Sequence, residues 1–168
     1  FTSPLHFAIA QGNIECAEVL LMKGVNVNQE ADGQYDFRIY TPLQISVLTN
    51  QVPCYQLLRS FGADVNFRLS RESDAAVHTA IQHGSLAVLK LLLLDGADPN
   101  AYTEEDPVSP LALACDAGNP EVLLELLRHG ADPRAYMTLF MDQPALHYAL
   151  CRKKFALAKL LLEFDSSL

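Results

Sequence analysis

Basic residues are scarce in this chain: 12 Lys and Arg stand against 20 Asp and Glu, for a formal net charge of −8 over 168 residues. A nucleic-acid groove needs a stripe of cations facing phosphates, so this balance argues against DNA or RNA as a partner. The longest basic run, Arg152-Lys153-Lys154, reads as a solvated turn between helices. Long apolar runs are missing as well. Leu91 to Leu94 falls far short of the roughly 18 apolar residues that mark a membrane helix, and membrane insertion is not expected. Catalytic signatures are absent too: no GxSxG, P-loop, HExxH or thiol-enzyme motif occurs. Glu104-Glu105-Asp106 supplies neighbouring carboxylates, but in a loop with no apolar pocket to raise a pKa. No enzyme activity, cofactor or metal is expected.

Cysteine is sparse, with four residues and no CxxC pair. Cys16 and Cys54 stand in a slot that later holds Val88, Val122 and Leu157. A position shared by Cys, Val and Leu is a packing position, so both thiols are expected to be buried as small hydrophobes. Reduced thiols favour a cytoplasmic or nuclear home.

What the chain does have is a recurring phrase. Gly62-Ala63-Asp64-Val65-Asn66, Gly96-Ala97-Asp98-Pro99-Asn100 and Gly130-Ala131-Asp132-Pro133-Arg134 lie 34 residues apart, with a looser copy at Gly24-Val25-Asn26-Val27-Asn28. A period of this size marks a solenoid of stacked units. Small residues anchor the register at Ala8, Ser46, Ala80, Ala114 and Ala149, and a leucine follows each by 12 residues: Leu20, Leu58, Leu92, Leu126 and Leu161. Each unit reads as two short helices. The first opens with a hydroxyl cap and proline at Ser3-Pro4, Thr41-Pro42 and Ser109-Pro110. Repeat three has Ala75-Ala76 there instead, which predicts a weak cap unless Asp74 supplies it. The second helix stops at Gly24, Gly62, Gly96 and Gly130, where glycine takes a left-handed conformation. The Asp/Asn/Pro cluster that follows turns the chain into a projecting loop.

These motifs resemble the ankyrin repeat. Its helix-opening Thr-Pro-Leu-His-x-Ala is similar to Ser3-Pro4-Leu5-His6-Phe7-Ala8, and more loosely to the segments from Thr41 and Ser109. The resemblance covers essentially the whole chain in five repeats, about 1–34, 35–72, 73–106, 107–141 and 142–168. It implies an all-α repeat solenoid of helix-turn-helix units, with projecting finger loops and a concave binding surface. It also implies that His6, His78 and His147 support turn geometry through hydrogen bonds. Asn28, Asn66 and Asn100 resemble positions that asparaginyl hydroxylases modify in this family, and the turn alone gives them a structural reason. The start inside a repeat and the apolar last repeat lead to the expectation of a fragment, flanked on both sides by further repeats or another domain.

Two candidate surfaces follow. The fingers, 29–40, 67–74, 101–108 and 135–143, carry seven of the fourteen aromatics, and aromatic rings concentrate at interface hot spots. Tyr35, Phe37 and Tyr40 in the enlarged first finger are expected to contact a partner, with Arg38 and Arg71 beside finger carboxylates such as Glu104. Phe67, Tyr102 and Tyr136 recur at nearly equivalent positions and serve equally as packing between fingers; Met137 and Phe140 extend an apolar patch in the last finger. The second surface is the exposed end of each first helix, including Gln82, His83, Asp116 and Arg152. With helices about 8–10 Å apart, five repeats give a ladder on the order of 40 Å long. The expected function is a non-catalytic scaffold for another protein or peptide. Two alternatives stay open: a substrate receptor like the ankyrin-and-SOCS-box subunits of ubiquitin ligases, or the regulatory domain of a larger enzyme or channel.

Overall fold

The computed structural model describes residues 3–32, 39–67, 75–83, 85–102, 108–134 and 145–165. Among them lie ten helices in five antiparallel pairs: α1 (Pro4–Ala10) with α2 (Ile14–Met22), α3 (Pro42–Leu48) with α4 (Val52–Ser60), α5 (Ala76–Gln82) with α6 (Leu86–Leu94), α7 (Pro110–Ala117) with α8 (Pro120–Arg128), and α9 (Ala145–Cys151) with α10 (Phe155–Asp165). First helices pack on first helices and second on second, and the main contacts run between neighbouring pairs in the row. The expected solenoid is therefore present. Among the described residues, the first finger adds a short strand pair, β1 (Ala31–Asp32) antiparallel to β2 (Ile39–Tyr40).

Helices of seven to eleven residues are too short to persist alone in water, so tertiary packing must hold them. The anchor residues Ala8, Ser46, Ala80, Ala114 and Ala149 are all buried between helices, where only a small side chain leaves room for close approach. Ser46 is the polar member of the column, and its hydroxyl donates to the Leu43 carbonyl at 2.6 Å. From Leu58 onward the leucine column is fully buried at every repeat. One continuous core thus runs through all five pairs.

Helix ends follow the sequence signals with one difference, at Ser3. Thr41 forms a capping box with Gln44, and the Ser109 hydroxyl accepts from the Ala112 N–H at 3.1 Å. Ser3 makes no cap bond; its hydroxyl accepts from the Gln29 side chain instead. Ala75 caps α5 without a side-chain bond, as its residue type requires, while Asp74 lies outside the described residues. Gly24, Gly62, Gly96 and Gly130 all adopt left-handed φ between 83° and 90°.

Repeats are also tied by polar contacts that a single repeat cannot display. The Asn66 carboxamide accepts from the Asp98 N–H and donates to the Gly96 carbonyl, both at 2.9 Å. Asn100 repeats the pattern on Asp132 and Gly130, and Asn28 accepts from Asp64. These asparagines hook each turn to the next, a role beyond their own turn. His6 Nε2–H donates to the Tyr40 carbonyl at 2.8 Å, and His78 Nε2–H to the Val108 carbonyl at 2.9 Å. Each imidazole therefore pins the segment that leads into the following repeat. His147, in the last repeat, is exposed.

Cys16 corrects the sequence expectation. Its slot is buried at Cys54, Val88, Val122 and Leu157, but Cys16 itself is exposed. The slot faces the preceding helix pair, and α1–α2 is the first pair in the row.

Burial holds the His6 imidazole below its ordinary pKa, against the opposing pull of the Tyr40 bond. The unfolded chain binds a proton there near pH ~6.5, whereas the folded chain resists doing so. Stability is accordingly complete above that pH and is lost as pH falls below it. Urea unfolding at pH 7.5 and pH 5.5 is expected to show a lower midpoint in acid, and His6→Gln is expected to shrink that difference. Equal sensitivity in the variant would remove His6 as the source.

Candidate partner-binding surface

The ends of the first helices build an exposed surface that runs along the stack. Two and three residues beyond each anchor stand Ala10-Gln11, Leu48-Thr49, Gln82-His83, Asp116-Ala117 and Cys151-Arg152, every one exposed or half-buried. The backbone raises them because the short turn after each first helix reverses the chain at once. Gly12, Gly118, Asn50 and Lys153 carry positive φ there, of 68°, 70°, 54° and 57°. Asn enters this region more readily than most side chains. The Asn50 carboxamide oxygen also accepts from the Ser85 hydroxyl at 2.6 Å, fixing that turn against the next repeat.

At the last two rungs the surface becomes chemically defined. The Tyr148 hydroxyl donates to Asp116 Oδ1 at 2.5 Å, joining α9 to the end of α7. The Arg152 guanidinium lies 5.5 Å from the Tyr148 ring centre, one helical turn further along the same face. Lys154 Nζ sits 5.6 Å from the same ring and donates to the Cys115 and Asp116 carbonyls, each at 2.7 Å. The result is a fixed tyrosine platform with a carboxylate on one side and an exposed guanidinium over it. Asp116 and Arg152 were both expected on this surface, and the structure joins them through Tyr148. That tyrosine was not picked out from sequence, since its column otherwise holds Phe7, Ile45, Thr79 and Leu113. Its spacing of four from Arg152 on one helix was the available signal.

The hydrogen bond to Asp116 raises the Tyr148 pKa, with burial adding to it. Burial likewise pushes the Cys115 thiol up to about 11. Cys115 is thus a protonated packing residue at neutral pH and a poor nucleophile. Among the described residues, no group of three His, Cys, Asp or Glu is placed to hold a metal ion.

The remaining candidates divide. Gln82 and His83 are exposed on the ladder. Tyr102 is 61% exposed at the start of the third finger, and Phe67 is half-buried at the start of the second. Tyr40 overturns its expectation: it is only 8% exposed and belongs to the core. Its place beside the cap of α3, with its carbonyl held by His6, draws the ring inward. Tyr35, Phe37, Arg38, Arg71, Glu104, Tyr136, Met137 and Phe140 lie outside the described residues.

The family model for ankyrin repeats (3 copies) matches residues 5–103 and again residues 77–167. The chain belongs to the ankyrin-repeat family. The two matches overlap by about one repeat, in keeping with the five helix pairs. Compared with the curated proteins, the chain finds no match. Ankyrin repeats are generally protein-interaction modules, typically without catalysis, and the ladder is one surface of this ankyrin stack that the packing of repeats leaves exposed. No helix among the described residues is long and apolar enough to cross a membrane.

The bond between Tyr148 and Asp116 has a spectroscopic consequence. In tyrosine-labelled protein, the Tyr148 ring signal is expected to titrate above the ordinary phenol value of about 10. Asp116→Ala is expected to move that titration downward while the other tyrosine signals stay in place. An unmoved Tyr148 curve would show that the carboxylate does not hold the ring in solution.

Proposed function

We propose that this ankyrin stack is a non-catalytic scaffold that holds a partner protein or peptide along the ladder of first-helix ends and the aromatic fingers. The observation that supports this reading is the contrast between columns. Anchor positions, and leucine positions from Leu58 onward, hardly change and are buried, while the ladder changes from Gln11 to Thr49, His83, Ala117 and Arg152 and is exposed or half-buried. Residues free of packing duty are available for recognition. The fingers add Tyr102, whose exposed ring offers large contact area at small entropic cost. Tyr35 and Phe37 belong to the same proposal by their place in the enlarged first finger. A reducing compartment, cytoplasm or nucleus, suits the four free thiols.

The test separates recognition from stability. A partner captured by the domain is expected to be lost with Gln82→Ala/His83→Ala/Arg152→Ala and with Tyr35→Ala/Phe37→Ala, each melting close to the parent. Leu92→Ala, which opens a cavity in the fully buried column, is expected to cost about 2–5 kcal/mol in urea unfolding. Unchanged capture by both surface variants would refute the assignment.

A further inference from the structure

At the fifth rung of the ladder, cations gather without carboxylate partners among the described residues. Elsewhere Arg59 pairs with Asp95, Lys90 and Arg128 with Glu125, and Lys159 with Glu163. Arg152 and Lys153 are exposed and form no such pair among the described residues, in a chain where 20 acidic residues outnumber 12 basic ones. Their exposure belongs to their columns: His83 and Ala117 in the first, and Asn50 and Gly118 in the second, are exposed at interior repeats too. Lys154 has another duty, since it lies against the turn at Gly118 and is held by the Cys115 and Asp116 carbonyls. Lys153 takes its place against a steric penalty. Its φ is 57°, in a column that otherwise holds Gly12, Asn50, Gly84 and Gly118. Glycine enters this region freely and asparagine with local help, whereas lysine has neither advantage. Strain that packing does not require points to function. Here it sets an ammonium group at the tip of an exposed turn, next to a guanidinium held 5.5 Å from the centre of the Tyr148 ring.

We propose, resting on the scaffold reading, that this rung anchors a short acidic segment of a partner protein, whose neighbouring carboxylates seat on Arg152 and Lys153. A guanidinium takes a carboxylate through two parallel N–H bonds, and one already stacked on a ring loses less freedom in doing so. Nucleic acid fits poorly. A phosphate backbone needs a run of cations, and at rungs one to four the Arg152 column holds Gln11, Thr49, His83 and Ala117. Two negative influences act on the rung. Asp116 stands beside it, with its carboxylate engaged by the Tyr148 hydroxyl, and the chain as a whole carries −8. At physiological salt, screening confines charge effects to about 8 Å. A short segment in direct contact therefore keeps its attraction to Arg152 and Lys153 while the distant repulsion fades.

An NMR titration of the 168-residue chain with hexaglutamate, in about 0.15 M salt, is expected to move the Arg152 side-chain and Tyr148 ring signals and to leave those of Lys23 and Lys90 in place. Lys153→Gly is expected to raise the urea midpoint, because the strained φ is relieved, and yet to weaken hexaglutamate binding several-fold. Arg152→Gln should weaken it several-fold with the midpoint unchanged. A lysine serving only the turn would give neither loss of binding nor a penalty to relieve. No shift at Arg152, equal shifts at Lys23 and Lys90, undiminished binding in both variants, or hexathymidylate binding as well as hexaglutamate overturns the proposal. The scaffold reading is tested apart from it. Partner capture that depends on Gln82 and His83 but survives both Lys153→Gly and Arg152→Gln would sink the acidic anchor alone and leave the scaffold standing.

Discussion

Every helix in this protein is stable only because a neighbouring pair covers it. At seven to eleven residues, none has enough internal hydrogen bonds to offset the entropy of forming a first turn. The decisive contact is the flat meeting of pair on pair, made possible by a buried Ala or Ser in each first helix and a buried leucine in each second helix from repeat two onward. Stability in such an array is a sum over units and nearest-neighbour contacts. The interior is therefore a line of interfaces, and the surface is whatever those interfaces leave over.

That division explains why the ladder is free to vary. Most residues at the ends of the first helices lie at the edge of the core or beyond it; Ala10 and Leu48 still pack against it, whereas Gln11, His83 and Arg152 face solvent and can be exchanged with little effect on packing. Tyr148 shows how such freedom becomes structure of its own kind. Held by Asp116 and faced by Arg152 and Lys154, it turns an otherwise mobile set of charges into a fixed arrangement. Side chains ordered before a partner arrives lose less freedom on binding.

The fold was legible in the sequence because its rules are local and repeated. Column counting located the helix starts at Pro4, Pro42 and Pro110 and the left-handed glycines after each second helix. What escaped were properties that one repeat does not contain. Cys16 and Cys54 occupy the same column, yet one is open and the other enclosed, because burial depends on the adjacent unit. Tyr40 looked like a finger aromatic by its position but belongs to the core beside α3. The asparagines read as turn formers, and their second duty, reaching 30 to 36 residues along the chain, left no trace in local spacing.

The asparagine hooks also make the array mechanically uneven. Turns one to four are latched in sequence by Asn28, Asn66 and Asn100, while the fourth turn carries Arg134 at the hook position. Pulled from its two ends, the chain would load these latches in series across the first four turns, whereas the described contacts between the fourth and fifth pairs are of another kind. Among the described residues, that junction includes apolar packing, the Tyr148 bond and the two bonds from Lys154.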